Sequence, residues 1–180
     1  RYINGYKIKK IFKISEYVDK LCFFRKKLSW KNYISLIAPS KWIGNCAKNS
    51  LLMKDKKIVI IPNPINTEVF IPKNKNDARK SLKLNNKKKV ILFGCIDGGQ
   101  DPRKGADLLI DVLKYLNCKK EDIQIVIFGK KNKYQKFFNN TFFEIHNLGI
   151  INSINKLSTI YSAADLFVIP SRIESFGQTA

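Results

Sequence analysis

The chain has 180 residues, 44% of them hydrophobic, and a formal net charge of +20, which is enough apolar material for one domain or parts of two. No apolar run nears the ~20 residues of a membrane-spanning helix, so no segment reads as a helical span. The single histidine, His146, and four scattered cysteines without a Cys-x-x-Cys pair (Cys22, Cys46, Cys95, Cys118) argue against a histidine triad, a zinc site or a disulfide framework, and fit a reducing cytoplasm.

Arg1 opens a basic, aromatic stretch with no initiating Met and no leader pattern, so the chain is expected to be an internal piece of a longer protein. The spacing of Ile14, Val18, Leu21 and Cys22 predicts a helix around "SEYVDKLCFFRKKL" with these four on one face. "YISLIAPS" predicts a strand ending at Pro39, and Ser40 is placed to cap a helix through "KWIGNCAKNSLL". "KIVIIPNPINTEVFIP" predicts a second strand, then a crossing between two lobes, because Pro62, Pro64 and Pro72 suit no helix interior. A polar stretch follows, with a short surface helix over 76–83.

From there the rhythm is regular. "KKVILFGCI", "IQIVIFG", "EIHNLGI" and "DLFVIP" predict strands. "GADLLIDVLKYLN" predicts a helix with Leu108, Leu109, Val112, Leu113 and Leu116 on one face; residues 133–142 and "NSINKLSTIYSAA" predict two more. The strands are continuous apolar runs, as expected of strands buried on both faces, so the fold class is α/β: a parallel sheet with helices on each side. Ligands of such sheets sit outside the carboxyl ends of the strands, and the residues there carry the functional argument.

After the first of these strands comes "GCIDGGQDPRKGADLL". Gly94, Gly98 and Gly99 permit sharp turns, and Arg103 and Lys104 stand beside Gly105 at the start of a helix. Cations there oppose the helix dipole but suit an anion; the alternative is two more solvated cations in a lysine-rich chain. The glycine spacing is neither a Walker loop nor a dinucleotide fingerprint. Gly149 either lets a flat ring lie against the main chain or is a simple turn glycine. His146 is expected at an edge, its ring satisfied by backbone. After the last strand, Ser171 and Glu174 follow Pro170, and Ser175, Phe176 and Gly177 lead toward another helix. A carboxylate accepts the hydroxyls of a sugar ring, and the N–H groups from Phe176 to Thr179 would face an anion. With Arg103 and Lys104 opposite, this describes a pocket for a sugar joined to a diphosphate; the alternative is a helix-capping acid.

In order, "APSKWIGNCAKNS", "IVIIPNPINTEVF", "ILFGCIDGGQDPRKGADLLIDVLKYL", "IQIVIFG", "NLGII", "LSTIYSAADLFVIPS" and "ESFGQTA" resemble the retaining nucleotide-sugar glycosyltransferases of family 4, from about Ile34 to Ala180. "DPRKGADLL" looks like members that build bacterial surface polysaccharides such as exopolysaccharide, capsule or O-antigen. The resemblance implies the two-lobed GT-B fold with Rossmann-like sheets, incomplete at both ends. Residues 1–62 would then be the tail of the acceptor lobe, 63–88 the crossing, and 89–180 the nucleotide-sugar lobe.

It also implies roles. Glu174 matches the first Glu of a family pair whose second member would fall beyond Ala180. Glu174 and Lys104 are the implied catalytic residues. Glu174, Ser175, Phe176 and Gly177 would hold the donor sugar; Arg103, Lys104, Gly177, Gln178 and Thr179 the diphosphate; and Gly149, Ile150 and Ile151 the base, through backbone. Where the family often has Arg, this chain has Cys95, a charge that Arg103 would replace. No cofactor and no metal are expected; the substrate would be a UDP- or GDP-linked sugar, and the acceptor a glycan or lipid-linked sugar. Lysines outnumber arginines 29 to 5 and spread along the chain, which reads first as compositional drift, second as attraction to an anionic membrane, and third as nucleic-acid binding, for which no motif speaks. The expected location is cytoplasmic, with peripheral contact at the inner face of the membrane as the second reading. The rival functions are a GT-B enzyme of another reaction, a non-catalytic sugar-nucleotide binding module and a nucleic-acid binder.

Overall fold

A computed structural model describes residues 14–30, 34–94, 101–116, 120–130 and 143–178. The predicted helix over 133–142 and the Cys95 position lie outside the described residues. The chain divides between Pro64 and Ile65 into two compact units, and residues 175–178 group with the first.

The first unit holds α1 (Ile14–Ser29), β1 (Ser35–Ala38), α2 (Lys41–Lys48) and β2 (Lys57–Ile60). β1 and β2 are parallel, with Ser35 opposite Lys57 and Ala38 opposite Ile60. As expected, Ser40 caps α2: its backbone is extended and its hydroxyl accepts from Ile43 N at 3.2 Å, satisfying an amide the helix itself leaves open. The apolar side chains Val18 and Leu21 of α1 are exposed.

The second unit holds α3 (Lys75–Ser81), β3 (Lys89–Gly94), α4 (Ala106–Tyr115), β4 (Ile123–Phe128), β5 (Glu144–Asn147), α5 (Ile154–Ala163) and β6 (Leu166–Phe167). Its four strands are all parallel, in the order β5-β4-β3-β6. The pleat sends alternate residues of β3 and β4 to opposite faces. Phe93 and Ile125 meet Ala106, Leu109, Ile110 and Leu113 of α4. Val90, Leu92 and Val126 meet Ala78 of α3 with Ile160 and Ala163 of α5. This is the predicted parallel sheet with helices on both faces, and each fully buried aliphatic side chain in it contributes ~1.5–3 kcal/mol.

Two expectations need correction. The face α4 buries is Ala106, Leu109, Ile110 and Leu113, whereas Leu108 and Val112 are exposed. The polar residues Asp107, Asp111 and Lys114 of α4 share one side, but the remaining apolar arc is wider than the buried face, so periodicity alone left the inward direction within that arc open. His146 lies on β5 at the edge of the sheet, but its Nε2 pairs with the Glu144 carboxylate at 2.8 Å rather than with backbone.

Among the described residues, buried polar side chains of this unit have hydrogen-bond partners. Gln124, fully buried on β4, accepts from Asn85 N at 3.2 Å and donates to Asn85 O at 2.7 Å. Arg79, only 4% exposed, donates to the carbonyls of Ala163, Asn86 and Lys88 and to the Asp165 carboxylate. Asp165 in turn accepts from Val90 N at 2.7 Å and Lys75 Nζ at 2.9 Å. Burial alone would raise its pKa, but these donors outweigh that and hold it at about 2. The network ties α3 to the start of β3 and of β6, the end of the sheet opposite the candidate site.

Candidate functional site

The strand order fixes where a ligand belongs. From β3 the chain steps outward to β4 and β5, then returns to the other side of β3 to lay down β6. β3 and β6 therefore flank the switch point of a doubly wound sheet, the place outside the carboxyl ends of the strands where sheets of this kind take their ligands. The loops in question carry residues 101–105 and 168–174.

The loop after β3 ends in a short 3-10 turn, Pro102–Lys104. Asp101 caps it by accepting from Arg103 N at 2.9 Å, and Pro102 stands at its first position, where a missing N–H costs nothing. Gly105 then adopts φ 66 and separates the turn from α4. Arg103 and Lys104 therefore sit on their own turn, not in the first turn of α4. The left-handed backbone at Gly105 makes the difference.

Gly105 is also where the two loops touch. A Cβ there would stand 2.0 Å from Pro170 O, so only glycine lets the backbones approach this closely. Beside it, Arg172 N donates to Arg103 O at 2.7 Å.

This contact brings two sequence-predicted residues together. Lys104 Nζ donates to Glu174 Oε1 at 2.6 Å, with both side chains about one-third exposed. The Lys104 ammonium, then a hydrogen bond from Ser171, hold the Glu174 carboxyl below its ordinary pKa. At neutral pH the two loops thus present an ammonium next to an ionised acceptor, with oxygens able to take hydroxyl donors.

The other predicted residues are placed differently. The Arg103 guanidinium is gripped by Asp101, with Nη2 2.6 Å from Oδ2 and Nε within 3.0 Å of both oxygens. This pair pulls Asp101 down to about 2. Residues 175–178 belong to the first unit, in which Ser40 Oγ donates to Ser175 O at 2.8 Å and Gln178 Nε2 to Pro64 O at 3.2 Å. Gly177 has φ 71; Phe176 is half-buried; Thr179 lies outside the described residues.

Gly149 has φ 65, with no heavy atom within 4 Å of where a Cβ would stand. Its N–H bonds Asn147 Oδ1 at 2.9 Å and its carbonyl accepts from Gly129 N at 2.9 Å. The backbone there is held while the space before it is open. Ile150 beside it is exposed, and Ile151 is half-buried. The Phe128 ring lies across Gly94, where any side chain would overlap it, and makes an edge contact with Tyr161.

Three residues were missed by sequence reasoning. Asp101 was readable, since an Asp before a Pro is a cap signal. Asp107 and Arg172 were not, because their link spans 65 residues.

The model of the family described as glycosyl transferases group 1 matches residues 74–180. Among curated relatives, the D-inositol 3-phosphate glycosyltransferase of Segniliparus rotundus is 26% identical over 133 residues, covering 69% of this chain and 29% of that protein. The glycogen synthase of Thermotoga maritima is 26% identical over 193 residues, covering 90% and 39%. Among solved structures, WaaG, a glycosyltransferase involved in lipopolysaccharide biosynthesis, superposes with TM-score 0.63 at 19% identity, covering 89% of this chain and 44% of WaaG. Anabaena Alr3699/HepE in complex with UDP and glucose gives 0.65 at 16%, covering 94% and 47%. The chain thus spans less than half the length of each of these proteins, and the fold is the expected α/β, GT-B type.

Proposed function

The chain belongs to the glycosyl transferases group 1 family, and on that premise we propose that its protein is a retaining, family 4 transferase. It moves a sugar from a nucleoside diphosphate, UDP- or GDP-linked, to a hydroxyl of a glycan or lipid-linked acceptor, in polysaccharide or glycoconjugate synthesis. The observation that carries this reading is the Lys104–Glu174 pair at the switch point of the sheet. WaaG's involvement in lipopolysaccharide biosynthesis and the UDP and glucose bound to HepE support the substrate class.

In this mechanism the barrier is the charge that builds on the departing diphosphate. Lys104 meets that charge without a metal, and a single fixed donor of this kind is worth ~3–4 kcal/mol. Glu174, kept ionised by Lys104, accepts from the sugar hydroxyls and orients the ring. The backbone of Gly149, Ile150 and Ile151 receives the base. The bond from the anomeric carbon to the phosphate oxygen breaks as the acceptor oxygen bonds that carbon on the same face. The hydroxyl proton passes to the leaving phosphate, and no sugar is attached to the enzyme. The protein works in the cytoplasm; no described helix is long and apolar enough to cross a membrane, and its basic surface would bring it to an anionic inner leaflet.

The test is a thermal-shift panel of UDP-, GDP- and ADP-sugars on the full-length protein, repeated with Lys104→Ala and Glu174→Ala. One donor class should stabilise the wild type and neither variant. Wild-type donor affinity and turnover in both variants would end the assignment, and mass spectrometry finding a sugar adduct on Glu174 would end the mechanism.

A further inference from the structure

Beside the Lys104–Glu174 pair, a second side chain joins the loop after β3 to the loop after β6. Arg172 Nη1 donates to Pro102 O at 2.7 Å and to Asp107 Oδ1 at 2.9 Å, and Nη2 donates to Asp107 Oδ2 at 2.7 Å. Its own N–H bonds Arg103 O at 2.7 Å. Two hydrogen bonds from one residue thus hold the turn that carries Lys104, two more hold Asp107 just beyond it on α4, and the same residue lies two positions before Glu174. The pair is 41% and 43% exposed, and exposed pairs add little to global stability. The bidentate fork gives directional precision instead, which a lysine could not reproduce.

We infer that Arg172, anchored on Asp107, is a positioning residue: it fixes the turn after β3 against the loop after β6 and so sets the separation of Lys104 and Glu174. This rests on the donor-site reading only for its catalytic consequence. The geometric part stands by itself, because the Glu174 carboxyl reports the distance to Lys104. The groups that bear on Glu174 are Lys104, Ser171 and, more weakly, Arg103.

The experiment follows the Glu174 carboxyl by carbon NMR titration in the full-length protein, in wild type, Arg172→Ala, Arg172→Lys and Asp107→Asn, with melting temperature measured alongside. If the strut sets the distance, the Glu174 titration midpoint rises toward the ordinary carboxylate value in all three variants while each still melts cooperatively. Asp107→Asn is the discriminating case. Removing a negative charge would by Coulomb's law alone make Glu174 more acidic, whereas loosening the strut makes it less so. An unchanged or lowered midpoint in Asp107→Asn, or an unchanged one in both Arg172 variants, overturns the inference. Should Arg172→Ala fail to fold, Arg172→Lys and Asp107→Asn carry the test.

UDP and GDP binding separates the two readings. With a wild type that binds one of them, the variants should bind it at least 10-fold more weakly, and the reversed pair Asp107→Arg with Arg172→Asp should recover part of the loss. If wild type binds neither while the midpoint shifts as described, the strut stands and the donor-site reading falls.

Discussion

Lys104 Nζ lies 2.6 Å from Glu174 Oε1 although 70 residues separate them in the chain. An ammonium on one loop and a carboxylate on another meet beyond the carboxyl ends of the neighbouring strands β3 and β6. Each acts on the other: the lysine lowers the pKa of the acid, and the acid accepts the hydrogen bond of the lysine.

Lys104→Met keeps most of the stem and removes the charge. In the full-length protein it is expected to lower kcat for sugar transfer by ~10²–10³-fold, the cost of one donor to a developing anion. Glu174→Gln should act mainly on donor KM, since it removes a charged hydroxyl acceptor while its amide oxygen can still accept from Lys104. Steady-state kinetics with the donor found in the thermal-shift panel measures both, and a Lys104→Met enzyme with unaltered kcat would remove Lys104 from the chemistry.

The pH behaviour of the pair has a definite sign. Glu174 is depressed in the folded protein, so its contribution to stability is present above the ordinary carboxylate pKa and is lost as pH falls through the depressed one. Lys104→Met should remove most of that contribution, so that stability falls less steeply as pH drops below the ordinary carboxylate pKa. Urea denaturation of wild type and variant at a series of acidic pH values would show the shallower acid slope.

Asp165 supplies a second acid-sensitive element, remote from the site. Its pKa is held at about 2, below the ordinary 3.8, so its contribution to stability, reduced by solvent screening, is present above about pH 4 and is lost toward pH 2. Asp165→Asn leaves buried Arg79 without its counter-charge and should cost ~3–5 kcal/mol at neutral pH. A chemical denaturation midpoint within error of wild type would show that the carbonyls around Arg79 suffice.

Two glycines with nearly the same backbone should respond differently to alanine. Gly105 and Gly149 have φ 66 and 65, so each substitution carries the ~1–2 kcal/mol penalty of a left-handed residue. At Gly149 the space is open and the penalty ends there. At Gly105 the methyl would overlap Pro170 O, the loops must part, and a further ~1–3 kcal/mol is expected. Donor affinity should fall with Gly105→Ala as Lys104 moves from Glu174. Thermal melts and donor titrations of both variants test the contrast, and equal destabilisation would show that the loops yield without cost.

Local pattern determined much of this protein. Continuous apolar strands separated by helical spacing specified the parallel sheet with helices on both faces, because burial on two sides leaves no room for polar alternation. Ser40 as a cap and Lys104 and Glu174 as strand-end residues were also legible, since a cap signal is local and a strand's carboxyl end is visible as the place where an apolar run stops. The sequence could not say which part of the apolar arc of α4 faces inward, because that arc is wider than the face buried against Phe93 and Ile125. Nor could it show that His146 turns to Glu144, that Asp101 takes Arg103, or that Arg172 spans to Asp107. Those pairings depend on which loops a strand order of β5-β4-β3-β6 sets side by side, and hydrogen bonds reaching across many tens of residues leave no periodicity in the chain. Tertiary structure alone decided them, because a charge finds its partner by distance in space rather than by position along the backbone.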